Sequence, residues 1–206
     1  MKSPYIIGIT GGSGCGKTTF IYKIRKAFSE KELCIISQDD YYLPQDKQKV
    51  DKQGIVNYDL PKSIDKESFE RDIKLLASGK VVSRPKYTFN NDEATSSMLT
   101  FQPAPIIIVE GLFVFHYKKI RKICDMKVFF HAKENLKVIR RIKRDQVERN
   151  YPLDDVLYRY EKHVLPSFEK YILPHREKAD IVINNNKDFE TGFDMMLSFV
   201  KAKLKG

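Results

Sequence analysis

Residues 11–18 read Gly11-Gly12-Ser13-Gly14-Cys15-Gly16-Lys17-Thr18, and they follow directly on the apolar run Tyr5-Ile6-Ile7-Gly8-Ile9-Thr10. Gly11, Gly16, Lys17 and Thr18 occupy the fixed positions of a loop that wraps phosphate. Glycines let such a backbone curl until consecutive N–H groups point inward at anionic oxygens. The helix predicted to follow offers its positive end to the same anion. Lys17 then reaches the β- and γ-phosphates, and the Thr18 hydroxyl ligates Mg²⁺. A strand before and a helix after are the context this loop requires. ATP or GTP binding by residues 11–18 together with Thr19 is therefore expected, on an α/β fold.

The rest of the chain agrees with that fold. Strands are predicted near 5–10, 33–37, 106–110, 126–131 and 180–183, and helices over 17–30, 64–78, 133–149, 153–164, 167–177 and 190–204. Runs such as Ile106-Ile107-Ile108-Val109 are apolar throughout, as strands are when helices cover both faces of a parallel sheet. Ser63 or Asp65 is placed to cap the second helix, Gly79 to end it, and Phe69, Ile73 and Leu76 form its core stripe. Residues 80–102 read as short extended pieces, a flap beside the sheet. The expectation is one domain over 1–206: a P-loop NTPase-type parallel five-stranded sheet with helices on both faces, a helical lid over 133–160 and a small β flap.

Composition excludes several classes. Apolar residues make up 42% and charged residues 31% of 206, an ordinary globular balance that argues against disorder or coiled coil. No apolar run approaches the roughly 18–20 residues of a membrane span. The N-terminal run is too short for a signal peptide. Three cysteines, Cys15, Cys34 and Cys124, form no paired framework, which points to a reducing, cytoplasmic setting. The net charge of +10 suits polyanionic partners, among them nucleoside triphosphates. Charge alone does not choose between these and a solvated basic face.

A phosphate loop leaves a GTPase switch, a motor and a small-molecule kinase open. Asn186-Lys187-Asp188-Phe189 lacks the final Asp of a guanine-reading motif. Asp51-Lys52-Gln53-Gly54 matches Asp-x-x-Gly, but Gln48-Lys49-Val50 is not predicted as a strand to carry it. The kinase reading has positive support. Gln38-Asp39-Asp40 follows the strand 33–37, and a carboxylate there can reach the cleft, where phosphoryl transfer needs a group to orient and deprotonate a hydroxyl. Either aspartate satisfies this. Glu110 ends another strand and is suited to Mg²⁺. On the helix 133–149, Lys137, Arg141 and Arg144 share one face that can cover phosphates, with Val138, Ile139 and Ile142 packing down on the opposite side.

With these pieces in order, the chain resembles the uridine kinase (uridine–cytidine kinase) family of P-loop enzymes from about residue 5 to 184. The matching segments are Gly11–Thr19, Ile36–Tyr42, Asn57-Tyr58-Asp59-Leu60-Pro61, Pro85-Lys86-Tyr87-Thr88-Phe89, Val109-Glu110-Gly111, Arg140–Asp145 with Glu148-Arg149, and Ala179–Ile183. The resemblance implies Asp39 as the base on a sugar 5′-hydroxyl, with Lys17, Arg144 and Arg149 on the transferring phosphate. Asp59 and Arg141 would hold the ribose, and Tyr87 and Phe89 would lie against the base. Thr18 and Glu110 would serve Mg²⁺, and Asn184–Asn186 would lie near adenine.

Departures fall on the acceptor side. Asp92 stands where the family usually has a histidine that reads the pyrimidine edge, Tyr151 replaces an Arg, Arg159 a Gln, and Thr88 an Asp. An Asp accepts a hydrogen bond from the cytosine amino group, whereas uracil O4 offers it no donor. The acceptor therefore stays open between uridine, cytidine and another alcohol, ribulose phosphate or pantothenate by analogy. A non-catalytic, nucleotide-dependent nucleic-acid-binding or regulatory protein is the competing class. The expected partners are ATP and a small hydroxyl acceptor. Membrane is not among them, nucleic acid is disfavoured, and homo-oligomerisation is left open. His116, His131, His163 and His175 lack metal-ligand spacing and read as structural. Cys15, inside the loop, would block ATP on oxidation if its thiol were exposed.

Overall fold

Each apolar run carries core residues on both faces, and this makes the central sheet a fully buried one. The computed structural model describes residues 3–87 and 97–206, apart from the Glu148 side chain. The first half of the chain forms β1 (Tyr5–Gly11), α1 (Lys17–Ala27), β2 (Leu33–Ser37), β3 (Lys49–Val50), β4 (Val56–Asn57), α2 (Lys66–Ala77), β5 (Val82–Pro85) and β6 (Met98–Phe101). The second half forms β7 (Ile106–Glu110), α3 (Lys118–Ile123), β8 (Met126–His131), α4 (Glu134–Arg149), α5 (Leu153–Arg159), α6 (Leu165–Ser167), β9 (Ile181–Asn184) and α7 (Glu190–Lys205).

Five strands pair in parallel in the order β2-β7-β1-β8-β9. Successive side chains point to opposite faces. Ile6, Cys34, Ile36, Ile107, Val109 and Phe129 therefore meet Phe69, Ile73 and Leu76 of α2 on one side. Ile7, Ile9, Leu33, Ile35, Ile108 and Val128 meet Phe20, Ile21 and Ile24 of α1 and Met196 and Val200 of α7 on the other. Ile108 is fully buried in β7, so shortening it leaves a cavity in the core. Ile108→Ala is expected to cost about 2–5 kcal/mol of unfolding free energy in urea titration.

The expected strands fall within a residue or two of those observed, and helices cover both faces. Asp65 is the cap of α2, its Oδ1 accepting the Ser68 N–H at 3.0 Å. Helix α1 stops at Ala27 rather than 30, because Phe28 turns extended and the Ser29 N–H is taken by Glu32. The two helices expected over 153–177 are one continuous helical path with changes of pitch. Tyr160–Val164 and Phe168–Ile172 are wide π turns, each ending two residues before a proline, Pro166 or Pro174. A proline cannot donate to the carbonyl four residues back, and the i→i−5 bonds of Leu165 and Leu173 absorb the misfit.

Three features depart from expectation. Helix α3 is only six residues with a single buried side chain, Ile120, too little to show a period. Lys49–Val50, read as no strand, pairs with Val56–Asn57 in a small antiparallel hairpin outside the main sheet. Ile139, expected to pack down, is 48% exposed, while Lys137, Arg141 and Asp145 on the charged face are buried. Val138 and Ile142 are half-buried, so α4 packs chiefly through its charged face, because what it packs against is polar. The flap appears as β5 paired antiparallel to β6. Phe89 and Asp92 lie outside the described residues. Among the described residues, no helix is long and apolar enough to cross a membrane.

Candidate active site

Register brings three strand ends to one edge of the sheet. Ile9 of β1 and Ser37 of β2 both pair with Glu110 of β7, so Gly11, Asp39 and Glu110 leave the sheet side by side. Ligands of open α/β sheets collect at this edge. A cleft of about 340 Å³ opens there, lined by residues 12–19, Asp39, Asp59, the arginines of α4 and several tyrosines.

The loop from Gly11 to Gly16 needs its glycines for space as well as for torsion. Gly14 and Gly16 have φ of +78° and +98°. A Cβ at Gly14 would lie 2.4 Å from the Lys137 carbonyl oxygen, and one at Gly16 2.1 Å from the Asn185 amide nitrogen. The buried Asn185 braces the loop, its Nδ2 donating to the Cys15 carbonyl at 2.9 Å. Helix α1 starts at Lys17 with no side-chain cap and no acidic residue in its first turn, which leaves its N-terminal N–H groups for an anion.

Lys17 lies buried, its Nζ 3.5 Å from Glu110 Oε2. Burial acts most strongly against its charge, but Glu110, Cys15 and Asp39 together outweigh it and hold the ammonium above its ordinary pKa. The Ser37 hydroxyl donates to the other Glu110 oxygen. Asp39 sits at the mouth of the cleft with water in reach. The surrounding protein walls strip part of its hydration, and with the nearby Glu110 charge they push its carboxyl up to about 6. Asp40 lies half-buried and outside the cleft lining.

Arginines form the opposite wall. Arg140, Arg141, Arg144 and Arg149 all line the cleft, and Arg141 Nη1 donates to Ser13 Oγ at 3.0 Å. Their common anchor is Asp145, 2% exposed. Its oxygens lie 3.1 Å from Arg141 Nε, 2.8 Å from Arg144 Nη2 and 3.5 Å from Arg149 Nη1. Lys137 does not open on the cleft. Its Nζ lies 3.3 Å from the centre of the Phe168 ring and pairs with Glu134 at 2.7 Å.

Part of the cleft wall is aromatic. Tyr42, Tyr58 and Tyr151 line it with Asp59 and Arg159, and Asp59 Oδ1 stands 3.7 Å from Arg141 Nη1. Tyr87 stacks against Tyr42 at 5.4 Å, one ring back from the lining. Of the residues expected at the site, 12–19, Asp39, Asp59, Arg141, Arg144 and Arg149 share this cleft, with Glu110 directly behind Lys17. Sequence reasoning assigned no role to Asp145, although its spacing four from both Arg141 and Arg149 was a readable signal. Tyr42 and Tyr58 stood inside the segments that carry the family resemblance but were given no role. Cys15 is 1% exposed and burial pushes its thiol up, so the oxidation-sensitive reading of this cysteine is withdrawn.

A glycine cradle at the head of a central strand, faced across a cleft by an open carboxylate, is the working arrangement of a P-loop phosphotransferase. The sequence profile of the Phosphoribulokinase / Uridine kinase family matches residues 6–191, and the chain belongs to that family. It is 33% identical over 205 residues to the uridine kinase of Macrococcus caseolyticus, covering 100% of both chains. It is also 33% identical over 203 residues to uridine-cytidine kinase B of Dictyostelium discoideum, covering 98% of this chain and 84% of that one. The solved structure of a possible uridine kinase from Bacillus stearothermophilus superposes with a TM-score of 0.61 at 17% identity, covering 88% of this chain and 89% of the other. That last likeness bears on the fold alone.

Proposed function

We propose that this protein transfers the γ-phosphoryl group of ATP to the 5′-hydroxyl of a pyrimidine nucleoside, uridine or cytidine. The observation that carries this reading is the cleft itself, which brings the anion cradle, Asp39, Asp59 with Arg141, and the rings of Tyr42, Tyr58 and Tyr151 to one space. The full-length similarity to proteins named uridine kinase and uridine-cytidine kinase supports the acceptor class. Ribulose phosphate and pantothenate draw no comparable support.

In this reading Asp39 takes the proton of the acceptor hydroxyl as its oxygen attacks the γ-phosphorus and the bond to the β-phosphate oxygen breaks, releasing ADP. Lys17 and the loop N–H groups hold the phosphates, and Arg144 and Arg149 meet the charge that spreads over the transferring oxygens. Asp59 and Arg141 orient the ribose. Tyr87 supports the base pocket from behind Tyr42, and Asp92, where the family has a histidine, would favour cytosine by accepting from its amino group. The Thr18 hydroxyl, exposed to the cleft, and the Glu110 carboxylate are hard oxygen donors that fit Mg²⁺ beside the phosphates. When bound, that ion neutralises phosphate charge.

The test is ADP release with ATP and Mg²⁺ and one acceptor at a time: uridine, cytidine, a purine nucleoside, pantothenate and ribulose 5-phosphate. Activity confined to the pyrimidine nucleosides is expected, and activity on pantothenate or ribulose 5-phosphate alone overturns the reading. The pH profile is a second check. Only ionised Asp39 accepts a proton, and its carboxyl is pushed up to about 6. Thus kcat/KM is expected to fall about tenfold per pH unit below that value and to level off above it. A profile flat down to pH 4.5 would remove Asp39 from the role of base.

A further inference from the structure

Asp51 opens the Asp-x-x-Gly pattern that phosphate binding leaves unused. It makes the turn between β3 and β4. Its Oδ1 accepts the N–H groups of Gln53 and Ile55 at 2.8 and 2.9 Å, and Gly54 turns with φ +81°. One carboxylate oxygen thus serves the hairpin itself. The other reaches across the fold, where Oδ2 accepts from the Tyr158 hydroxyl at 2.8 Å and lies 2.7 Å from Nε2 of the buried His163. Beside them, Arg159 Nη1 donates to the Val56 carbonyl on β4 at 3.0 Å. Three side chains of the helical run that follows the arginines therefore grip a single hairpin.

That hairpin needs the grip. Its strands are two residues long, both largely outside the core, and an isolated two-stranded ribbon is marginal at best. What it delivers is the acceptor end of the cleft. Asn57 of β4 is followed at once by Tyr58 and Asp59, the Asp59 N–H donating to Asn57 Oδ1 at 2.9 Å. Partial burial disfavours the Asp51 charge, but the bonds from Ile55, Tyr158 and His163 prevail and hold its carboxyl well below the ordinary range. The Asp51 carboxylate therefore stays ionised at neutral pH.

We propose that Asp51, clasped by Tyr158 and His163, is a positioning residue for the acceptor: it seats the β3–β4 hairpin on the helical lid and so sets where Tyr58 and Asp59 stand. This rests on the acceptor end assigned above. The prediction is a loss in acceptor affinity with ATP handling spared, which a general weakening of the fold would not produce.

The experiment compares Asp51→Asn, Tyr158→Phe and the double variant with the unmodified protein. Acceptor KM, kcat, ATP affinity without acceptor, and amide hydrogen exchange over residues 49–59 are measured. Asp51→Asn is expected to raise acceptor KM about tenfold, the scale of a lost hydrogen bond to a charged group, with kcat within about threefold. Tyr158→Phe, which removes one oxygen and leaves packing intact, should raise it about threefold to fivefold. The double variant should be no worse than Asp51→Asn, because both changes break one clasp. Hydrogen exchange over 49–59 should quicken in all three. Unchanged KM in both single variants overturns the proposal, and so does a parallel loss of kcat and ATP affinity. If the unmodified protein turns over neither nucleoside, the functional reading falls separately. Hydrogen exchange then decides the clasp, faster in Tyr158→Phe supporting it and unchanged overturning it.

Discussion

Asp39→Asn is expected to lower kcat by about 10²–10⁴-fold while ATP remains bound, the range that positioned proton transfer contributes. Asn has nearly the same shape and can still accept a hydrogen bond from the acceptor hydroxyl, but it cannot take the proton. Stability should not fall with the substitution. A carboxyl whose pKa is raised in the folded state binds its proton more tightly there, so ionisation between its ordinary value and about 6 weakens the fold as pH rises. Removing that charge beside Glu110 works in the opposite direction. ADP release and nucleotide binding, measured side by side at pH 7.5, separate the two effects. Asp40→Asn is the matched control, since Asp40 lies outside the cleft lining. A variant at position 39 that turns over at the native rate would remove Asp39 from the role of base and leave another group to take the proton.

The second large effect is expected at Asp145. One buried carboxylate orients three guanidiniums that line the cleft, and each is largely withdrawn from water. Asp145→Asn keeps the volume but leaves the arginines to repel one another at the moment they must converge. A displacement of about 1 Å at a reacting centre costs on the order of 10²-fold, so a loss of that size in kcat/KM is expected. Removing one partner of a buried ion cluster also destabilises by about 3–5 kcal/mol, a figure to be lowered here because Arg144 and Arg149 remain partly exposed. Steady-state kinetics and urea unfolding on the same preparation check both. Kinetics equal to the native enzyme would mean that ATP alone aligns the arginines.

The site was legible where chemistry and local sequence coincide. A glycine loop must be contiguous because it wraps one phosphate with consecutive N–H groups, so Gly11–Thr18 announced both itself and the strand and helix around it. Glu110 and Asp39 were legible as acidic residues just past apolar strands. The acceptor side was legible only through the family resemblance, which picked out Asp59 and Arg141, and not from residue spacing. Tyr42, Tyr58, Tyr151 and Arg159 come from four separate stretches, and nothing in their spacing says that they share a wall. Helix α4 misled in a more instructive way. Amphipathic periodicity finds two faces but not which one is buried, and ordinary experience assigns the apolar face to the core. Here the phosphate loop and Phe168 supply a polar and aromatic surface to pack on, so Lys137 and Arg141 turn inward and Ile139 faces solvent.

By itself, the sequence determined the parallel sheet, the phosphate cradle and the carboxylates at the strand ends, because strand period, glycine conformation and strand-edge placement are local properties. Only the tertiary structure decided that Asp145 gathers three arginines and that Asp51 ties a short hairpin to a helical segment more than a hundred residues away. Those contacts join groups far apart along the chain, and their strength comes from excluding water between them, which no local pattern encodes.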